Sequence, residues 1–280
     1  MPVQPEFQSP QPPTLQMPAA PPMSVAQTLL SIFIAPARAF ASFRDAGAFT
    51  PAAVRFLVAA PIIIAAVVAY NVIYPARIGS GNIARAAIEA SPRMANLPPE
   101  MKERTLQIAQ NPTFHVINAV MTFGRLVLIL LASLPLGALI YWLGALAFKA
   151  PLKYMQALLV WTYATLPPTV LWFIANVVTL FVSPPTSNVG IATGGAGVFP
   201  SSVGSLLTIF TVTTLPLPVY VVALSAFDLF EFYGLTLAIV GLRKAGRLPW
   251  LGALTTVALV WIVGIVWRVS TATLVSVISR

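Results

Sequence analysis

Residues 154–227 contain no aspartate, glutamate, lysine or arginine, and this uncharged run constrains the fold more than any other feature of the chain. Over the whole sequence, 58% of the residues are hydrophobic and 8% are charged, whereas a typical soluble domain has roughly 25% charged residues. A chain of 280 residues cannot hide that much apolar surface inside one soluble core. The sequence therefore predicts an all-α, polytopic membrane helix bundle.

Hydropathy predicts how many helices cross the membrane. A spanning helix needs about 20 apolar residues, because it rises about 1.5 Å per residue through a hydrocarbon core of about 30 Å. Five segments satisfy this requirement, and we expect transmembrane helices at about 56–75, 126–148, 154–182, 217–242 and 250–270.

The first residues differ in composition from the rest. Residues 1–23 hold eight prolines and a single charged residue, Glu6. Such a segment cannot form a helix or pack a core, so we expect a disordered, proline-rich tail. Residues 24–280 then form the membrane domain.

The segment 24–45 is too short to span but carries aromatic residues beside arginines. We predict that it is an interfacial helix interrupted at Pro36, since proline lacks an N–H and clashes with the preceding turn. Phe33, Pro36 and Phe40 form its motif, with aromatic rings entering the headgroup boundary. The alternative is an ordinary helix before the membrane with no lipid preference.

A longer polar loop is predicted between the first two spans. Residues 76–113 should be partly helical, because PPEMKERTLQIAQ begins with prolines and carries Glu100 in its first turn. Pro112 follows the end of this helix.

The distribution of lysine and arginine predicts the orientation. With five spans, eight basic residues fall on the side of the N-terminus and six on the other, where acidic residues offset them. We therefore expect the N-terminus in the cytoplasm and the C-terminus outside. The eight are Arg38, Arg44, Arg55, Lys149, Lys153, Arg243, Lys244 and Arg247.

Common catalytic and metal-binding patterns are missing from the sequence. There is no cysteine, and the only histidine, His115, has no nearby carboxylates in sequence to complete a zinc site. The basic residues are scattered, so nucleic acid is not an expected partner in spite of the net charge of +9. We expect no enzyme activity, no cofactor and no metal.

Four charged residues are predicted at membrane depth. Asp228 and Glu231 lie in the fourth predicted span, Arg125 begins the second, and Arg268 ends the fifth. An acid at the centre of a spanning helix costs about 2.5–3.5 kcal/mol, which favours pairing with the arginines. We predict an intramembrane charge network in the outer leaflet. Its role is open among a structural pair, recognition of a partner or substrate, and a proton or ion path.

Two adjacent prolines interrupt the third predicted span. Pro167 and Pro168 remove two backbone donors and should kink or break the helix. Broken helices occur at transporter sites, but no second interrupted span lies in a symmetric position, which favours a structural kink.

Four sequence runs together resemble the Ypt-interacting-protein (Yip) domain family, and in particular its bacterial members. They are SIFIAPARAFASFR before the first span, LPPEMKER in the loop, YATLPP in the third span and FDLFEFYGLTLAIVGLRKAG through the fourth. The resemblance covers roughly residues 24–275. It implies five spans with a cytosolic N-terminus, and its eukaryotic members bind Rab-type GTPases in vesicle traffic.

Two functions remain after these exclusions. The first is an interaction protein that organises membrane or serves as a partner subunit, with the lipid bilayer and a protein partner or second copy as its contacts. The second is a small-solute transporter or permease component, which would show a cavity lined by Asp228 or Glu231, whereas a scaffold would show a closed bundle. We expect the cell (inner) membrane as the location, or an endomembrane if the source is eukaryotic.

Overall fold

A computed structural model describes residues 23–44, 49–79, 82–83, 98–182, 198–203 and 224–278. Almost the whole of the proline-rich tail predicted at 1–23 lies outside these residues. The named elements of the described part are all helices: α1 (Val25–Ile34), α2 (Pro36–Ala41), α3 (Phe49–Ile78), α4 (Pro99–Gln110), α5 (Pro112–Ala147), α6 (Tyr154–Val182), α7 (Leu229–Gly246) and α8 (Trp250–Ile278).

Four of these helices are long and apolar enough to cross a membrane. The candidate spans are Pro51–Ile78, Phe123–Ala147, Tyr154–Val182 and Trp250–Ser270. All four overlap the predicted spans, and the third has the predicted bounds. The prediction of an all-α membrane bundle is confirmed at this level.

The observed helix α7 differs from the span predicted at 217–242. It begins at Leu229 and ends at Gly246, whereas residues 217–223 lie outside the described residues. Asp228 is its N-cap, because its carboxylate accepts hydrogen bonds from the backbone N–H groups of Phe230 and Glu231. The expectation that Asp228 lies inside a spanning helix is therefore wrong. Aspartate is among the strongest N-capping residues, and hydropathy does not detect that preference.

Helix α6 is the central element of the bundle. The three most extensive helix–helix contacts of the bundle are those of α6 with α3, α7 and α5. The first half of α6 is buried on nearly every face, as expected for a helix that is apolar all round. The buried residues of that half are Gln156, Ala157, Leu158, Leu159, Val160, Thr162, Tyr163, Ala164, Leu166, Pro167 and Pro168.

The two prolines of α6 do not break the helix, which runs without interruption from Tyr154 to Val182. Pro167 and Pro168 are buried in the bundle. Neither can donate the usual hydrogen bond to the carbonyl four residues earlier, which leaves α6 with two weaker positions near its middle. The predicted break is excluded, and the kink stays a prediction.

Helix α2 packs into the core, whereas α1 buries only Thr28 and Ile32 and leaves Leu30 and Ile34 exposed. Phe40 is fully buried, as is Phe43, whose ring packs edge-on against Tyr163 with centroids 5.0 Å apart. Phe33 is 41% exposed and Pro36 is half-buried. The interfacial position predicted for Phe40 is therefore wrong. The chain turns at Pro36 and directs α2 onto α7, so the same amphipathic pattern covers protein instead of lipid.

A buried arginine holds α1 and α2 in place. Arg55 of α3 is 7% exposed, and its guanidinium donates hydrogen bonds to the carbonyls of Met23 (3.0 Å) and Ser42 (3.4 Å). It also lies over the Phe43 ring, 5.6 Å from the centroid. Arg55 thus joins Met23, two residues before α1, to the end of α2, and it offsets the negative end of the α2 dipole.

A buried amide reinforces the same junction from α6. The side-chain nitrogen of Gln156 donates to the carbonyls of Arg44 (3.0 Å) and Phe43 (3.2 Å). Its side-chain oxygen accepts the backbone N–H of Lys153 at 2.9 Å, which caps the start of α6. All the hydrogen-bonding groups of this side chain are used, so its burial is not costly.

The helix predicted in the first outer loop is present. Helix α4 spans Pro99–Gln110 with Pro98 at its N-cap and Glu100 in its first turn. Pro112 begins α5 directly afterwards, so α5 extends well before the predicted span at 126–148.

Small residues on α7 set how closely the helices approach. A Cβ atom added to Gly241 would lie 2.6 Å from Val160 and 3.0 Å from the Phe40 ring. We expect Gly241→Ala to lower the free energy of unfolding by about 1–3 kcal/mol, because it overpacks this contact. Thermal unfolding in detergent micelles would measure the change.

Gly264→Ala is the matched control, because a Cβ atom there meets nothing within 4 Å. Its better helix propensity should leave stability unchanged or raise it by up to about 1 kcal/mol. Equal losses for the two variants would contradict close packing at Gly241.

Candidate functional site

A short strap crosses the end of the bundle where α7 begins. Residues 198–203 run antiparallel to the chain around Asp228. The Val203 N–H donates to the Phe227 carbonyl (3.1 Å), and the Leu229 N–H donates to the Ser201 carbonyl (3.0 Å). The Ser201 hydroxyl also donates to the Asp228 carboxylate. Asp228 therefore anchors the strap and caps α7.

The second acid of the pair has a different partner. Arg268 donates two parallel hydrogen bonds to Glu231, with Nη1–Oε2 at 2.9 Å and Nη2–Oε1 at 3.1 Å. The side chains are 44% and 25% exposed, respectively. This bidentate geometry is the strong form of an arginine–carboxylate contact. It ties the first turn of α7 to the second half of α8.

The predicted network of four charges is therefore only partly assembled. Within the described residues, the ion pair joins Glu231 to Arg268, and Asp228 is occupied by Ser201 and the start of α7. Arg125 is exposed on α5 and makes neither a salt bridge nor a hydrogen bond with either acid in that part of the chain. Its predicted place in the network is not supported.

The ion pair lies in the wall of a cavity of about 780 Å³ between the helices. That volume is within the range of about 300–1,000 Å³ typical of small-molecule sites. Five helices contribute to the wall: Val67 and Asn71 of α3, Leu126 and Tyr141 of α5, Trp161, Ala164, Thr165, Pro168, Thr169 and Trp172 of α6, Phe230, Glu231, Gly234 and Leu235 of α7, and Val260, Trp261, Gly264 and Arg268 of α8.

The α6 residues of this wall share one face of the helix. They recur at spacings of three and four from Trp161 to Trp172, which is the helical repeat. The face includes Thr165 and Thr169, whose hydroxyls donate to the carbonyls of Trp161 (2.9 Å) and Thr165 (2.8 Å). Each hydroxyl oxygen keeps lone pairs that can accept a hydrogen bond from a bound molecule.

Two glycines help to create the space. An added Cβ on Gly234 would lie 3.4 Å from Pro168 and 3.5 Å from the Ala164 carbonyl oxygen, which is ordinary van der Waals contact. Gly264 faces open space. The glycines of α7 thus serve two purposes, because Gly241 packs against α6 and Gly234 borders the cavity.

Sequence reasoning missed the aromatic residues of the wall, which are Tyr141, Trp161, Trp172, Phe230 and Trp261. Aromatic residues are common in apolar helices, so their sequence positions carry no signal until the helices are assembled. Asn71 could have been found, because an amide inside a predicted span is unusual.

The structure does not add a metal centre to the site. Among the described residues, no three histidine, cysteine, aspartate or glutamate side chains lie close enough together to hold a metal ion. His115 lies in α5, and its side chain is outside the described part.

Comparisons of the chain with protein-family models, with curated proteins and with solved structures gave no match. The resemblance to the Yip domain family therefore stays a prediction.

The geometry gives a direct test of the ion pair. We expect Arg268→Leu and Glu231→Leu each to destabilise the bundle, because each leaves one charge without its bidentate partner. The double variant should recover part of the loss, with a coupling energy on the order of 1 kcal/mol. Thermal unfolding in detergent of the wild type, the two single variants and the double variant would provide this double-mutant cycle.

Asp228 provides the control for this cycle. Because Asp228 contacts Ser201 and the start of α7, Asp228→Leu combined with Arg268→Leu should be additive within about 0.5 kcal/mol. Strong coupling of Arg268 to Asp228, with none to Glu231, would show that the pairing described above is wrong.

Proposed function

We propose that the protein is a non-enzymatic integral membrane protein that binds a small solute in its central cavity, as a transporter or as a component of a permease. The observation that carries this proposal is the cavity of about 780 Å³ with Glu231 in its wall. A mostly apolar wall with a few convergent polar groups is typical of ligand sites.

The depth of the cavity supports a solute-binding role. Its wall includes Thr165 and Pro168, which lie at the middle of the span Tyr154–Val182. Binding near the middle of the bilayer is typical of secondary transporters. A protein that acts only as a scaffold needs no cavity at this depth. The interaction function, placed first from the sequence, is therefore less well supported than transport.

We also propose that the chain has five spans, the four candidate spans given above and α7, which comes fourth in chain order. Its 18 residues give a length of about 27 Å, close to the hydrocarbon thickness of about 30 Å. Arg243 and Lys244 end it, at the same end of the bundle as Lys153, which precedes α6. This arrangement supports a cytoplasmic N-terminus and an external C-terminus. Residence in the cell (inner) membrane, or in an endomembrane if the source is eukaryotic, is part of the same proposal.

The proposed cavity should admit water and water-soluble reagents. The chain has no cysteine, so an introduced cysteine is the only thiol of the protein that a reagent can label. We expect Thr165→Cys to react with a charged methanethiosulfonate reagent, because the reactive thiolate forms only where water is present. Val266→Cys on the exposed face of α8 should react at least tenfold more slowly in proteoliposomes, since lipid covers it.

Blocking the cavity completes this experiment. Gly264→Phe should slow labelling of Thr165→Cys, because its side chain enters the open space at the wall. Gly124→Phe is the matched control, as Gly124 also faces open space but does not line the cavity. If Thr165→Cys reacts no faster than Val266→Cys, the cavity is closed to water and solute binding is wrong.

The proposed orientation predicts which membrane face each loop occupies. Lys153 and Glu103 are both exposed outside the candidate spans. In sealed inside-out vesicles, an impermeant maleimide should label Lys153→Cys and leave Glu103→Cys unlabelled. Intact spheroplasts should give the opposite pattern, and exchange of the two results would reverse the topology.

A further inference from the structure

We infer that the solute bound in the cavity is a zwitterion, with one cationic and one anionic group on a partly apolar body. The inference rests on the proposed solute-binding function and specifies its ligand class. It depends on the charges and aromatic rings that line the cavity.

The charges of the cavity wall cancel. Among the described residues, Glu231 and Arg268 are the only charged side chains that line it, and they are paired with each other. The protein as a whole has a net charge of +9, so this balance is local. A neutral pair attracts neither anions nor cations over long distances.

A singly charged solute is a poor fit for this pair. An anion that binds Arg268 competes with Glu231 and takes from that carboxylate its bidentate hydrogen bonds. A cation that binds Glu231 competes with Arg268 for the same two bonds. A zwitterion supplies both replacements at once, because its anionic group takes the bidentate guanidinium and its ammonium takes the carboxylate. The site then prefers zwitterions because a singly charged solute breaks the hydrogen bonds between Glu231 and Arg268 and replaces only one side of the pair.

The rest of the wall suits an ammonium group with an apolar body. Trp161, Trp172 and Trp261 line the wall, and aromatic rings attract cations through their quadrupole. The hydroxyls of Thr165 and Thr169 donate to backbone carbonyls, so towards a ligand they act as acceptors. Ammonium N–H donors match those acceptors. The shared chemistry could belong to a free amphipathic zwitterion or to the headgroup of a zwitterionic phospholipid.

Three compounds that share a phenylethyl group test the inference. L-Phenylalanine is the zwitterion, phenethylamine lacks the carboxylate, and 3-phenylpropionate lacks the ammonium. Dioctanoyl phosphatidylethanolamine and dioctanoyl phosphatidylglycerol form the lipid arm, zwitterionic against anionic. The measurement is the shift in thermal midpoint of the full-length protein in detergent, over a concentration series that gives an apparent Kd for each compound.

We expect at least one of the two zwitterions to bind at least tenfold more tightly than its singly charged counterparts. Preference for phenylalanine assigns the site to free solutes, and preference for the phosphatidylethanolamine assigns it to lipid headgroups. Glu231→Gln should shift the preference towards the anionic compound, and Arg268→Gln towards phenethylamine. The charge-exchanged double variant, Glu231→Arg with Arg268→Glu, keeps a pair in the wall and should retain the zwitterion preference if the single variants fail to fold.

The inference is overturned if neither zwitterion binds more tightly than its singly charged counterparts. The solute-binding proposal has its own readout, because labelling of Thr165→Cys reports on the cavity without any ligand. A reactive cysteine with no zwitterion preference would therefore reject the ligand class and leave the cavity intact. An unreactive cysteine would reject both.

Discussion

Burial of α6 on nearly every face of its first half is the constraint on which the rest of the structure depends. Such a helix must be surrounded, and α3, α5 and α7 pack against it. Phe43, which follows α2, packs against Tyr163 on the same helix. Close approach requires small residues, which is why Gly241 meets Val160. From Trp161 to Trp172 one face of α6 borders the cavity, so the same helix forms both the core and the site.

Much of the fold could be predicted from sequence because lipid imposes a simple rule on helix length. The predicted span 154–182 has the observed bounds, and α4 was predicted from its prolines and Glu100. The start of α7 could not be predicted by hydropathy, since a local hydrogen bond from Asp228 determines it. Amphipathicity also does not reveal whether Phe40 faces lipid or protein, and its burial depends on where α7 lies.

The site followed from sequence only in part, for a related physical reason. The high cost of charge in an apolar medium predicted that Glu231 and Arg268 would seek partners, and they pair. Whether Asp228 or Glu231 would be the partner depends on a single turn of helix, which the sequence pattern does not resolve. The cavity depends on the arrangement of five helices, so no single segment carries a signal for it.

The attachment of α1 and α2 bears on how the protein is produced for experiments. Arg55 and Gln156 bind carbonyls on either side of these helices, and Phe40 and Phe43 fill the space between α6 and α7. A shortened form that starts at α3 would retain every candidate span, yet it would present an open slot at one end and two polar side chains without their acceptors. Affinity tags therefore belong before residue 24, and an expression boundary chosen from hydropathy alone would yield a weakened protein.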